Sequence, residues 1–281
     1  MRHSNPNMPG HVPPKHSRPS MEKVAFEVAL KDKKQIAAGT YAFIFEKPKG
    51  FHFRAGQHVR MTLMNPPETD SEGNSRFFSL ANSPEEADLL IAVRMRQTAF
   101  KRVLERMQIG DKVRIEMLLD VPHGAFALHE DSSRPAVFLV GGIGIVPVFS
   151  MIKDAIKRKL PHKIFLFYSN RRPEDAPFLD ELEHLAKGRP SFKLIPIMTQ
   201  PEKSTNSRQG ETGHINYSML KRYVENLHSP IYYIAGLPEM VSAMRTLLIN
   251  SGVNKDNIRA EEFSGFKMDH NGVISNLESH K

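Results

Sequence analysis

Cysteine is missing from the chain altogether. That absence excludes disulfides, thiolate-held iron–sulfur clusters, cysteine nucleophiles and Cys-rich zinc sites together. A metal would need His and carboxylates. The 13 His are scattered, no H-x-x-x-H pair falls on a plausible helix face, and His3, His11 and His16 crowd the N-terminus. No metal is therefore expected. Long apolar runs are missing too: none approaches the roughly 20 residues that cross a bilayer, so no membrane span is expected. An apolar signal core is also lacking. The first twenty residues hold five prolines, and 1–21 reads as a disordered leader. With no export signal legible, a cytoplasmic location is expected.

A strong excess of one charge is lacking as well. The formal net charge is +8, and Arg2, Lys15 and Arg18 supply three of those charges from a leader without an acid. No interleaving of aromatic and basic residues accompanies the remainder, so nucleic acid is not an expected partner. A mildly basic surface suits an acidic protein partner.

What is present is an ordinary globular composition, 40% hydrophobic and 25% charged over 281 residues. That length makes two domains the default. Residues 22–131 read as all-β: 24–30, 41–45, 57–63, 76–80 and 89–93 alternate or run apolar at strand length between Lys, Gly and Pro turns. One helix interrupts, with Thr98 as N-cap, Phe100, Val103, Leu104 and Met107 on one face, and Gly110 as its stop. Strands at 112–117 and 122–128 then complete a small closed barrel. From Pro135 strand and helix alternate, with strands at 136–140, 163–168, 192–197 and 230–235 and helices at 148–159, 176–186, 216–225 and 238–251. That rhythm predicts an α/β doubly wound parallel sheet, 132–266. The polar stretch Glu130–Ser133 marks the boundary, and 267–281 reads as a loose tail.

The stretch that organises the second half is Ala136 to Pro147. Five apolar residues run into Gly141-Gly142-Ile143-Gly144, and Pro147 suits the first turn of a helix. Strand, glycine turn and helix start present bare N–H groups to a phosphate. Glycine turns of this kind also serve packing alone, so nucleotide binding and plain packing both stay open here. Four more stretches accompany it: Arg76-Phe77-Phe78-Ser79; the Thr98 helix start behind Arg94 and Arg96; Tyr233-Ile-Ala-Gly236-Leu237-Pro238; and Ile258 to Phe266.

In that order the stretches resemble the ferredoxin–NADP reductase superfamily, over about residues 24–266. The R-x-Y-S motif of that family matches Arg76 to Ser79, and its F-x-P-G-Q segment is similar to Phe53-Arg54-Ala55-Gly56-Gln57. Its G-x-F-x-L closure matches Gly124 to Leu128, and G-G-x-G-x-x-P matches Gly141 to Pro147. C/A-G-x-P-x-M matches Ala235 to Met240, and E-x-F matches Glu261-Glu262-Phe263. Phe78 stands where the family has Tyr, and Ala235 where many members have Cys.

The resemblance implies an all-β flavin-binding barrel followed by the nucleotide-binding sheet. It implies FAD, with NADPH or NADH as hydride donor and an external electron acceptor. That acceptor could be an acidic ferredoxin or flavodoxin, a haem protein, a ferric chelate or a quinone. Arg76 would pair with the flavin pyrophosphate, aided by the N–H groups of Thr98, Ala99 and Phe100. Phe78 would stack on the isoalloxazine beside Phe77, Ala92, Val93 and Arg94, and Ser79 would bond N5. Gly141, Gly142, Ile143, Gly144 and Pro147 would carry the dinucleotide. Gly236, Leu237, Pro238 and Met240 would border its nicotinamide. Phe263 would cover the flavin face, and Glu261 would assist proton handling. Coenzyme choice stays open: after Ser169 and Asn170, the two arginines Arg171 and Arg172 suit a 2′-phosphate, whereas Asp175 would repel it. A different reading is a flavin-binding electron-transfer or regulatory subunit without turnover of its own.

Overall fold

A computed structural model describes residues 23–118, 126–206 and 210–263. Its first half is a six-stranded antiparallel sheet built from β1 (Lys23–Ala37), β2 (Thr40–Glu46), β3 (His58–Leu63), β4 (Ser75–Ser79), β5 (Asp88–Arg94) and β6 (Lys112–Leu118). The spatial order is β4-β3-β6-β1-β2-β5. β1 serves two ladders, pairing with β6 over Lys23–Ala29 and with β2 over Leu30–Ala37. A bulge lies where the ladders change over, between Leu30 and Asp32. Bulges of this kind bend a strand and let a sheet curl. Alternation drives Val28, Phe43, Phe45, Val59, Met61 and Ile115 into one core, and helix α1 (Ala99–Arg106) covers it with Phe100 and Leu104.

The sheet is barrel-like but not closed. Its edge strands β4 and β5 share only an isolated bridge, Leu80 to Ile91, which corrects the expected closed barrel. The expected last strand, 122–128, is also not found: Phe126 to Leu128 lie outside any strand, and 122–125 lie outside the described residues. Phe126 and Leu128 pack instead against the core of the second half. The leader, the C-terminal tail and Ser264 to Phe266 also lie outside the described residues.

The second half is a six-stranded parallel sheet, ordered β10-β9-β8-β7-β11-β12. Its strands are β7 (Ala136–Gly141), β8 (Ile164–Asn170), β9 (Phe192–Met198), β10 (Glu211–Thr212), β11 (Ile231–Gly236) and β12 (Ile258–Glu262). Helices α2 (Ile145–Lys157), α3 (Leu179–Ala186), α4 (Tyr217–Tyr223) and α5 (Pro238–Asn250) connect them. α3 starts three residues later than expected, because Pro173–Asp175 form a 3-10 turn and Phe178 takes a left-handed φ of 60°. From β7 the chain moves outward through β8, β9 and β10, then returns to β11 on the other side of β7. The reversal opens a crevice beyond the carboxyl ends of β7 and β11, the place where ligands bind in open α/β sheets.

The two sheets share packed surface. Ala81 and Ala92 from the first half belong to the same buried cluster as Phe138, Phe149 and Tyr233 from the second. Ser150 Oγ donates to the Asn82 carbonyl at 2.6 Å, and Ala38 N–H to the Glu174 carbonyl at 2.7 Å. A Cβ on Gly56, whose φ is +94°, would lie 2.3 Å from the Phe126 carbonyl oxygen. The glycine of the Gly56-Gln57 pair therefore serves a close backbone approach. No described helix is long and apolar enough to cross a membrane.

Candidate functional site

The site begins on β4. As an edge strand it pairs only with β3, so its other backbone edge is free of any ladder. Register sets Phe78 opposite Val59 and Arg76 opposite Met61, both partners deep in the core. Phe77 and Ser79 therefore point to the other face. The Arg76 guanidinium lies over the Phe100 ring, 5.2 Å from its centroid, and the Phe78 ring stands 5.7 Å from the same ring. These contacts bring the start of α1 to the strand. Thr98 caps that helix in extended conformation, its hydroxyl accepting from Lys101 N–H at 3.4 Å.

Positive charge converges there. Lys101 donates to the Arg94 carbonyl at 2.6 Å. Burial, then the nearby charges of Arg96, Arg76 and Arg94, lower its pKa to about 8. The counter-charge comes from the loop before β4. Asp70 accepts from Arg76 Nη2 at 2.8 Å and from Glu72 N–H at 3.1 Å. Ala92 and Val93, on the strand leading to α1, are buried.

The crevice supplies the other wall. Gly141 ends β7, and Gly142–Gly144 form a 3-10 turn into α2. Gly142 has a φ of +52° and open space where a Cβ would stand. Gly144 is different: a Cβ there would lie 2.4 Å from the Ala235 carbonyl oxygen, so the turn packs directly on β11. Cβ atoms on Gly141 and Gly236 would lie 2.4 and 3.0 Å from the same Met240 sulfur. The two glycine turns thus face each other across one thioether. Ile143 is half-buried, Pro147 is buried in α2, Pro238 opens α5, and Leu237 is exposed.

β12 closes the arrangement. It pairs with β11 so that Glu261 stands opposite Ala235, and Phe263 N–H donates to the Gly236 carbonyl at 2.9 Å. Glu261 Oε1 lies 3.5 Å from Ser79 Oγ, a long hydrogen bond joining the barrel-like sheet to the crevice. Its Oε2 is buried without a hydrogen-bond partner among the described residues. Burial pushes this carboxyl up to about 7, against the opposing hydrogen bond from Ser79. Ser79, Glu261, Gly236 and Phe263 are thereby gathered at one cleft between the two sheets.

At the end of β8, Ser169 is half-buried and Asn170 buried, and the Arg171 side chain is 57% exposed. Asp175 is turned inward. Arg172 grips it with two hydrogen bonds of 2.9 and 3.0 Å, and Arg171 stands 3.9 Å away. The Arg172 hydrogen bond holds the Asp175 carboxyl below its ordinary value. The sequence offered both Arg171 and Arg172 to a 2′-phosphate, whereas Arg172 is engaged by Asp175. Two residues of the site escaped notice in the sequence. Asp70 carried no motif. His58 stands opposite Ser79 in the β3–β4 ladder, its ring edge-on to Phe77 at 5.4 Å and its pKa lowered by burial. The match to Gln57 ended one residue short of it.

Residues 138–246 match the family model for an oxidoreductase NAD-binding domain. The chain is 28% identical to terephthalate 1,2-dioxygenase reductase component 1 of Comamonas over 215 residues, 75% of this chain and 60% of that protein. It is 26% identical to the NAD(P)H-flavin reductase of Aliivibrio fischeri over 220 residues, 77% of this chain and 88% of the relative. Among solved structures, a ferredoxin NADP+ reductase from Neisseria gonorrhoeae superposes with a TM-score of 0.68 at 22% identity, covering 86% of this chain and 99% of that one. At that identity the superposition shows the fold. Six motifs in order, a barrel-like sheet against a parallel one and these matches make the chain similar to the reductases of the ferredoxin–NADP reductase superfamily, with an oxidoreductase NAD-binding domain over residues 138–246.

Proposed function

We propose that this chain is an FAD-dependent oxidoreductase that draws on NAD(P)H and delivers electrons to an external acceptor. The observation that carries the reading is the meeting of Ser79 and Glu261 beside Gly236, in the cleft between a barrel-like sheet and a nucleotide-type crevice. The residues fit a phosphate-bearing flavin. Cations converge at the α1 start, Arg76 over the Phe100 ring and Lys101 on the Arg94 carbonyl. They also fit a dinucleotide, since Gly142 leaves open space at the crevice mouth. A flavin supplies, when bound, acceptance of two electrons from a nicotinamide and their release one at a time.

The work of the chain is to bind, orient and keep water out. Arg76 and the N–H groups of Ala99 and Phe100 would hold negative charge, the Thr98 N–H being taken by the Arg96 carbonyl, and Phe78 presents a flat apolar face. Ser79 supplies a hydroxyl donor at the cleft, and Glu261 a carboxyl poised near neutrality that can hold or release a proton. Phe263, tied to Gly236 by its own N–H, covers the cleft on the β12 side. In this reading 22–131 is the flavin-binding unit, 132–266 the nucleotide-binding unit, and 1–21 and 267–281 flank them.

Coenzyme choice follows from β8. Asp175 is already satisfied by Arg172, while Arg171 is exposed, so a 2′-phosphate meets more positive than negative charge. NADPH is the preferred donor on this reading. Several relatives are named as reductase components of oxygenases, such as that of terephthalate dioxygenase. An oxygenase-side or ferredoxin-like acidic protein is the acceptor class the net charge of +8 suits. Anaerobic titration of the flavin-loaded chain with NADPH and NADH tests the core of the reading. Bleaching of the flavin band supports it. Retained flavin with no bleaching by either nucleotide leaves a flavin-binding subunit without turnover instead.

A further inference from the structure

We propose that Met240 is an oxidation site: hydrogen peroxide converts its thioether to the sulfoxide, and the glycine cleft then loses its hold on the coenzyme. The inference rests on the nucleotide reading of that cleft given above. It starts from where the sulfur sits. Met240 is the third residue of α5, and a side chain in the first turn of a helix leans back over its N-terminus. The sulfur thereby arrives between the ends of β7 and β11. A Cβ on Gly141 would lie 2.4 Å from it, and one on Gly236 3.0 Å. Neither glycine has that carbon, so the sulfur fills space that two side chains would otherwise take. The Cβ on Gly236 would also stand 3.5 Å from the Gly141 nitrogen, so the two turns run close together and the thioether is the spacer between them.

The sulfur is also within reach of a small oxidant. Among the described residues every methionine is buried except Met64, Met95 and Met240. Met64 is 42% exposed just past the end of β3, and Met95 packs on the core of the first half. Met240 is the one of the three held against the glycine turns, half-buried, with its inner side on the core beneath α5.

A thioether is soft and polarisable. A sulfur lone pair attacks one peroxide oxygen, the O–O bond breaks, and the sulfur keeps that oxygen. The departing hydroxide takes the proton of the transferred oxygen and leaves as water. Sulfur is oxidised by two electrons and the peroxide is reduced by two. The oxidant arises within the proposed reaction, since dioxygen standing in for the external acceptor takes two electrons and two protons to become hydrogen peroxide. The product is polar where the thioether was apolar. Between the glycines there is no room for an added oxygen, with the sulfur already 2.4 Å from the Cβ position of Gly141. The oxidised side chain turns out to the cleft mouth, where it takes space the dinucleotide needs and leaves the two turns without their spacer. The proposed flavin contacts, on β4 and α1, are untouched.

The test uses the full-length chain with FAD bound, treated with graded hydrogen peroxide and then desalted. Peptide mass mapping reads which methionines have gained an oxygen, and calorimetry reads the binding of NADP+ and NAD+. Met240 should gain the oxygen while the buried methionines do not, and nucleotide affinity should fall by about tenfold, the scale of one lost apolar contact of this size. Bound flavin should stay. Methionine sulfoxide reductase, which removes the oxygen, should return the affinity to its starting value. Met240→Leu has an affinity of its own, and peroxide should leave that value where it stands. Met64→Leu combined with Met95→Leu should remain as sensitive as the wild type. Met64 oxidised with Met240 untouched would overturn the proposal. So would Met240 fully oxidised with nucleotide binding unchanged, or a Met240→Leu chain that loses affinity like the wild type. Those three results leave the coenzyme reading standing. A chain that binds neither nucleotide before peroxide is added defeats that reading and this inference with it.

Discussion

Replacing Glu261 by Gln should make the folded protein more stable at alkaline pH and leave it unchanged at acid pH. The carboxyl sits near 7 instead of its ordinary 4.5, driven by burial. A group that binds its proton more tightly when folded leaves stability intact below the unfolded value. Stability then falls as pH rises from there through the folded value. The loss is therefore absent below about pH 4.5 and complete above about pH 7. A displacement of that size corresponds to ~3 kcal/mol at 1.36 kcal/mol per pH unit. Glu261 keeps part of its surface in solvent, and its Ser79 hydrogen bond is long, at 3.5 Å. About 2 kcal/mol is thus the expected gain for Gln at pH 8.5. Gln keeps the length of the side chain and an oxygen for Ser79, so packing is little disturbed. Denaturant unfolding of both flavin-free proteins from pH 4 to 9 reads the difference directly. The two curves should meet near pH 4.5 and part through pH 7. Parallel curves, or a gap widest in acid, would refute the assignment of a neutral buried carboxyl at this cleft.

Gly144→Ala should destabilise the chain by about 2–3 kcal/mol, because the new Cβ would meet the Ala235 carbonyl oxygen at 2.4 Å, and backbone cannot step aside as a side chain can. Calorimetry would detect it, and an unchanged Tm would show that the turn stands clear of β11. At Gly142, where the space is open but φ is +52°, Ala should cost only about 1 kcal/mol in stability, from the backbone alone. Arg171→Ala should raise KM for NADPH by about tenfold and leave KM for NADH within about twofold. Equal changes for both would place that guanidinium outside the coenzyme site.

Much of the molecule was legible before any coordinates. Alternation or a short apolar run marked all six strands of the first half, β1 only over its first part, since each buries one face against a single core. Unbroken apolar runs marked β7 and β11, which are covered on both faces by helices. The second half of β1 escaped notice because Lys31 to Gln35 are polar and largely exposed, and only the ladder with β2 holds them extended. The 122–128 reading treated an apolar segment as a strand, whereas Phe126 and Leu128 bury their side chains against the other half without joining a ladder. The glycine motif was visible, but not which glycine does what. Gly144 packs on a backbone and Gly142 opens to solvent, a distinction carried by neighbours nearly a hundred residues away.

The sequence by itself determined the local structure, the division into an antiparallel and a parallel half, and the candidate binding motifs, because these rest on periodicity, turn chemistry and residue type within short windows. Tertiary structure alone decided the charges and contacts of the site. It set Glu261 against Ser79 across 182 residues of chain and laid the Gly144 turn on the Ala235 backbone. The physical reason is that desolvation and Coulomb energy depend on distance through space, and the chain brings those partners together only when both sheets have folded and packed.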